Sequence, residues 1–384
     1  MTKAATLAIA IIANIAPLAV FPPPAEAALG APGSDSVRRD QWHLRYLRST
    51  DANSISDGAG VTVAVLDTGV DQHPDLHRNL LPGRNFTPGK GGDSYVDQDS
   101  HGTSMAGLIA AHGSGSQSGA LGIAPAAKIL PVKFKIKNNA GNPEDLAAAV
   151  EWATSNGADI INISAVSGTT IRLKAALRAA IQSDVVVVAS AGNRPEDSGV
   201  SYPALEDKVV AVGGIDQHGN HADISVTGKR IDITAPAVDI YSTSTGGKYS
   251  KGTGTSSATA IVAGAAALVR SKYPHLPAAE VVHRLTATAV DKGPPGRDDQ
   301  YGYGVIDLVA ALTADVPPLG FEGATATPPG GATSAAAQPA GGDGDGGAAV
   351  RGWVTLGVIV AAGGGFLVWR RRRRADDPPP RISR

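Results

Sequence analysis

Short apolar runs punctuate the middle of the chain: Val61-Thr-Val-Ala-Val-Leu66, then 128–135, 159–164, 185–190 and 209–213. Each is rich in β-branched or other apolar side chains and too short for a typical helix, which reads as a buried strand. Between them the spacing of apolar positions lengthens to three or four residues. That predicts helices over 102–112, 143–155, 171–183, 256–272 and 277–287. Pro143 and Pro277 both fall where a first helical turn accepts proline. Strands that alternate with helices argue for an α/β fold whose mostly parallel sheet is covered by helices on both faces. Catalytic loops in such folds gather at the carboxyl ends of the strands. No internal repeat is evident.

The two ends break this pattern. Residues 1–27 read as an export signal: Lys3 gives a positive start, Ala4 to Phe21 is nearly all apolar, and Ala25-Glu26-Ala27 follows Pro22-Pro23-Pro24 as a cleavage site. Residues 28–57 form an N-terminal extension. Only about 30 residues separate cleavage from the first strand, below the ~40 at which folding alone becomes difficult. No separate folded inhibitory domain is therefore expected, and the segment is expected to pack on the body. Residues 58–312 are the folded domain. Residues 313–351 are rich in Pro, Gly, Ala and Thr, lack enough large apolar side chains to fold, and read as a linker. Gly352 to Trp369 is 18 residues without a charge. At ~1.5 Å per residue it is about long enough to cross a bilayer. Trp353 and Trp369 sit at its ends and Arg370 to Arg374 follow at once. That predicts a single membrane-spanning helix, with 370–384 as a basic cytoplasmic tail and everything before it outside.

Composition adds two exclusions. The chain has 384 residues, 18% charged and 42% hydrophobic, so a sizeable core can form. Its net charge of −1 hides an asymmetry: the tail carries seven arginines against two aspartates, and with Arg351 this leaves 28–350 at −7. An acidic outer part offers no footprint for nucleic acid. There is no cysteine, which removes disulfides, thiolate chemistry and Cys-type zinc sites.

Three stretches carry chemistry: Val65-Leu-Asp67-Thr-Gly-Val70, Ser100-His101-Gly-Thr-Ser-Met-Ala-Gly107 and Gly252-Thr-Gly-Thr-Ser256-Ser-Ala258. A serine hydroxyl is a poor nucleophile unless a histidine takes its proton. That histidine needs a carboxylate to fix its tautomer and stabilise its cation. Asp67 at a strand end, with His101 and Ser256 at helix starts, can converge on one site. Acyl transfer also needs donors for the developing oxyanion. The side-chain amide of Asn193 and the backbone N–H of Ser256 are candidates. Rivals exist within the chain. Ser104 sits in Gly-Thr-Ser-Met-Ala, which mimics a nucleophile motif, one helical turn from His101, and reads as an ordinary helix-start serine. His73, in His-Pro-Asp-Leu, is a second candidate base. Asp97 and Asp99 read first as a solvated loop, and second as shaping a cleft.

In this order, Asp-Thr-Gly, His-Gly-Thr and Gly-Thr-Ser-x-Ala resemble the subtilisin family over roughly 58–312. The resemblance implies a subtilisin-like three-layer α/β fold and serine endopeptidase activity on proteins or peptides. It gives His73 a structural role. It makes Asn193 the oxyanion donor and Ser164, Ala165 and Val166 with Ser190, Ala191 and Gly192 the walls of the substrate pocket. Tyr202-Pro203 matches a position where the family's peptide bond is cis. Ser164-Ala-Val-Ser departs from the family's Ser-Leu-Gly-Gly, and Ala260 stands where most members have proline. No cofactor is required for this chemistry and no metal ligand is assigned. Calcium is common in the family, but no ligand set maps onto this chain.

Arg38-Arg-Asp-Gln-Trp-His-Leu44, Tyr301-Gly-Tyr-Gly-Val-Ile-Asp-Leu308, the linker, the apolar helix and the basic tail together resemble the mycosins, subtilisin-like proteases of type VII secretion systems. Membership implies a catalytic domain on the outer side of the cell membrane and partnership with the secretion membrane complex. Three roles fit: processing of exported proteins, structural support of that complex, or broad degradation at the surface.

Overall fold

A computed structural model describes residues 33–320 apart from 88–92, 116 and 138–140. The segments expected to form the signal, the spanning helix (352–369), the basic tail and most of the linker lie outside the described residues. Among the described residues no helix is long and apolar enough to cross a membrane.

Three short helices open the chain: α1 (Ser34–Asp40), α2 (Trp42–Tyr46) and α3 (Ser49–Ile55). Then follow β1 (Thr62–Asp67), β2 (Arg84–Asn85), α4 (His101–Ala110), β3 (Lys128–Lys133), α5 (Pro143–Ser155), β4 (Ile160–Ile163), α6 (Ile171–Gln182), β5 (Val186–Ser190), β6 (Val210–Ile215) and β7 (Ile233–Pro236). A hairpin of β8 (Ile240–Ser244) and β9 (Lys248–Gly252) precedes α7 (Thr255–Lys272), α8 (Ala278–Ala287) and α9 (Leu308–Thr313). The main sheet has seven strands in the order β2-β3-β1-β4-β5-β6-β7, paired in parallel throughout. Strand order reverses at β1, and the carboxyl ends at such a point form the crevice where α/β proteins bind ligands.

The apolar runs work because successive side chains point to opposite faces. Val63 and Val65 of β1 join Ile129, Ile160, Val188 and Val212 against α4 and α7. Ala64 and Leu66 join Leu130, Val132, Ile161 and Ile163 against α5 and α6. Helix α7 is buried almost all round, from Ala258 to Val269. Its many alanines let it approach β4, β5, β6 and β7 closely. Ala260 continues this helix without interruption. Helix α5 starts as the sequence predicts: Pro143 opens it and the Asn142 side chain accepts from Glu144 N at 2.8 Å.

The N-terminal extension packs on this body. Val37, Leu44, Leu47 and Ala52 enter the core on the α7 side. Polar side chains fasten the same segment: Gln41 reaches the carbonyls of Leu121 and Tyr241, Trp42 Nε1 that of Val238, Asn53 that of Ile123 and Ser56 that of Leu268.

Candidate active site

Asp67 is the last residue of β1 and is fully buried. Both of its carboxylate oxygens lie 2.8 Å from His101 Nδ1, and Oδ1 also accepts from Thr68 N. Nδ1 therefore donates, which leaves Nε2 as the basic nitrogen. His101 is the first residue of α4. Gly102 explains how that helix comes so close: a Cβ there would meet Gly69 O at 2.0 Å and Asp67 Cβ at 3.1 Å. A side chain at 102 would push α4 off the end of β1.

Burial would raise the Asp67 carboxyl. The charges of His101 and Lys135, with the hydrogen bonds from His101 and Thr68, outweigh burial and hold it below its ordinary value. Lys135 Nζ stands 3.6 Å from Asp67 Oδ1, and both side chains are almost wholly buried.

Ser256 is the second residue of α7, preceded by Gly254 at φ 156°. Its hydroxyl donates to Ser164 O at 3.5 Å, while Ser164 Oγ donates back to Ser256 O at 3.1 Å. Thus the segment after β4 is tied to the start of α7. Asn193 follows β5, and its Oδ1 accepts from Thr255 N and Thr255 Oγ1. These bonds orient the amide, so Nδ2 is the end left for a ligand. First-turn N–H groups of α7, Ser256's among them, lack intrahelical acceptors. His101, Ser256 and Asn193 line one cleft together with Asp99, Ser104 and Met105. His101 Nε2 has no hydrogen-bond partner among the described residues. A basic nitrogen, a helix-start hydroxyl and the N–H donors of Asn193 and Ser256, on residues that line one cleft, are the parts that acyl transfer needs.

The two segments expected to wall the substrate pocket lie at the ends of the neighbouring strands β4 and β5. Ser164 and Ala165 are buried after β4, and Ser190, Ala191 and Gly192 are buried at the end of β5. They are linked through Asp197 and Ser201, which no motif marked, and through Ser167 and Tyr202. Ser201 N donates to Ala191 O, and Ser167 N donates to Tyr202 O. Asp197 accepts from Asn193 N and from Ser201 Oγ. The Tyr202-Pro203 bond is cis, and so is Arg194-Pro195.

One expectation needs correction. Asp97 is not in a solvated loop: it is 8% exposed and accepts five hydrogen bonds. Donors are Thr68 Oγ1, Asp99 N, Ser100 N, Thr103 N and Thr103 Oγ1. It thereby ties the residue after Asp67 to the first turn of α4. Its position shortly before His101 was the available signal. Asp99, partly exposed, lines the cleft. His73 is buried, with Nδ1 accepting from Asp75 N and Nε2 donating to Lys248 O, so both nitrogens are engaged. Ser104 lies on α4 within the cleft. No cluster of metal-ligating side chains occurs among the described residues.

The family model described as "Subtilase family" matches residues 58–304. The chain belongs to the subtilase family. Subtilisin DY from Bacillus licheniformis is 40% identical over 261 residues, which is 66% of this chain and 91% of that protein. Subtilisin Savinase from Lederbergia lenta is 40% identical over 255 residues, again 66% and 91%. Among solved structures, MycP1 from Mycobacterium smegmatis is 31% identical with TM-score 0.63, over 72% of this chain and 85% of that one. The MycP3 protease from the type VII (ESX-3) secretion system is 34% identical with TM-score 0.62, over 71% and 88%. This subtilase is thus a serine endopeptidase by family, and its structural neighbours are the mycosins.

Proposed function

We propose that this chain is a membrane-anchored, extracytoplasmic serine endopeptidase that processes proteins exported by a type VII secretion system, with Asp67, His101 and Ser256 as its triad. One observation carries the reading most. His101 is held on both oxygens of a buried Asp67, with its free Nε2 in a cleft shared by Ser256 and Asn193.

The chemistry follows from that placement. A substrate strand lies extended in the cleft, paired through its backbone. The side chain before the scissile bond enters between Ser164, Ala165 and Val166 on one side and Ser190, Ala191 and Gly192 on the other. Ser256 Oγ turns from Ser164 O toward His101 Nε2, gives up its proton and attacks the carbonyl carbon. The oxyanion forms between Asn193 Nδ2 and Ser256 N–H. Asp67 stabilises the imidazolium through Nδ1–H and stays ionised. Nε2 then protonates the leaving amine, and water, deprotonated by the same nitrogen, releases the acyl group. Only side chains, backbone donors and water take part.

The location rests on the sequence: an export signal, a linker, an uncharged stretch flanked by tryptophans and five arginines behind it. The assignment to secretion rests on the likeness to MycP1, described as an essential component of the type VII (ESX-1) secretion system. Comparing exported proteins from wild-type and Ser256→Ala cells tests the whole reading. One or more proteins that are cut in wild-type cells are expected at full length in the mutant. Identical termini in both would contradict a processing role.

A further inference from the structure

Lys135 has no place in the reaction just described, yet its charge is buried against Asp67. The sequence puts it two residues beyond β3. Phe134 N donates to Asp67 O at 3.0 Å, so the ladder between β3 and β1 continues far enough to fix Lys135 beside that carboxylate. The side chain is 2% exposed, and Nζ lies 3.6 Å from Asp67 Oδ1 and 3.5 Å from Ser164 O. A buried ammonium is costly to desolvate, and a methionine of similar length would fill such a site without that cost. Ser164 O, moreover, already accepts from Ser256 Oγ.

From this geometry we infer that Lys135 is a positioning residue that shares Asp67 with His101 and sets the acid limit of catalysis. The inference rests on the triad reading above. Its physics is a competition for one carboxylate. A fixed cation beside Asp67 offsets part of the negative charge that stabilises the imidazolium, and it repels that second cation directly. Catalysis is thereby expected to persist to lower pH. The same effect makes the imidazolium formed during acylation somewhat more costly, so acid tolerance is gained against peak rate.

Among the described residues, His101 and Lys135 are the charges that bear on Asp67. From β1 comes Asp67 itself. Lys133, on β3, donates to Val96 O. Asp97, before α4, has its carboxylate occupied by five donors. Asp99 lines the cleft and acts in the opposite sense. Arg194, after Asn193, is exposed and donates to Thr227. The parts of β4 and α7 nearest the site present Asn162, Ser164, Ser256 and Ser257, all neutral.

The test is the pH profile of kcat/KM for the full-length chain on a peptide that does not itself titrate, for wild type, Lys135→Gln, Lys135→Met and Lys135→Arg. Glutamine can still donate to Ser164 O and fill the space, but it carries no charge. The acid limb is expected to move to higher pH by about half a unit to one unit in the Gln and Met variants. It should stay near the wild-type position in Lys135→Arg, and KM should change little in all three. An acid limb unmoved in folded Lys135→Gln, while Ser256→Ala abolishes turnover, overturns the inference and leaves the triad standing. Turnover that survives Ser256→Ala overturns the triad reading itself. If neither neutral variant folds, Lys135 is a structural residue and the inference fails.

Discussion

His43 is the residue whose burial has the plainest consequence. It sits in α2 with 0% exposure, and neither ring nitrogen has a hydrogen-bond partner among the described residues. Burial, reinforced by nearby Arg45, pushes its pKa down to about 3. In the unfolded chain the ring titrates near ~6.5. Between these values the unfolded chain binds a proton that the folded chain refuses, so stability is fully present above ~6.5 and is lost as pH falls toward ~3. The slope is about 1.4 kcal/mol per pH unit for one such group. His43→Leu is expected to raise the melting temperature more at pH 5 than at pH 8. Equal shifts at the two pH values would show that the ring does not carry the acid sensitivity. At this scale the sequence was legible where motifs mark chemistry. Asp67, His101, Ser256 and Asn193 were each read from a few neighbours, and all four lie at one end of the sheet. Asp97 was misread because local composition shows polarity, whereas its five bonds come from folding. Lys135 was not legible for a similar reason: only the pairing of β3 with β1 brings it to Asp67.

Among the elements, those with strong periodicity were predicted to within a residue or two: 143–155 is helical over the whole span and 256–272 starts one residue earlier. What was missed has weak pattern. Strand β2 has two residues, β7 ends in a proline at the sheet's edge, and β8 and β9 are mostly Ser, Thr, Lys and Gly. Their pairing supplies what their composition does not. The small helices α1 to α3 matter more than their length suggests. Their four core residues and the side-chain bonds to Leu121, Val238, Ile123 and Leu268 make them part of the domain rather than a cover over the cleft. Each buried Val or Leu contributes on the order of 1.5–3 kcal/mol, and a domain of this size loses roughly 2–4 °C per kcal/mol. A chain beginning at residue 58 is therefore expected to melt about 10 °C or more below the longer chain, with no gain in activity. A truncated chain of equal melting temperature and higher activity would instead mark 33–57 as a removable inhibitor.

For the molecule as a whole, the sheet explains why distant motifs meet. Asp67 ends β1, Ser164 follows β4, Asn193 follows β5, and α4 and α7 start at the same edge. Residues as far apart in the chain as Asp99 and Ser257 thus line one cleft because strand order reverses at β1. The proposed tether would confine this chemistry to the membrane surface, favouring local processing over digestion at large. Everything in the proposal depends on Ser256 being the nucleophile, and Ser104 in the same cleft is the alternative the chain itself offers. The direct test is to react the protein with a serine-directed phosphonate and locate the adduct by mass spectrometry, in wild type and in Ser256→Ala. A single adduct on Ser256, absent from the mutant, is the predicted result. An adduct on Ser104, or labelling that persists in Ser256→Ala, would contradict the account.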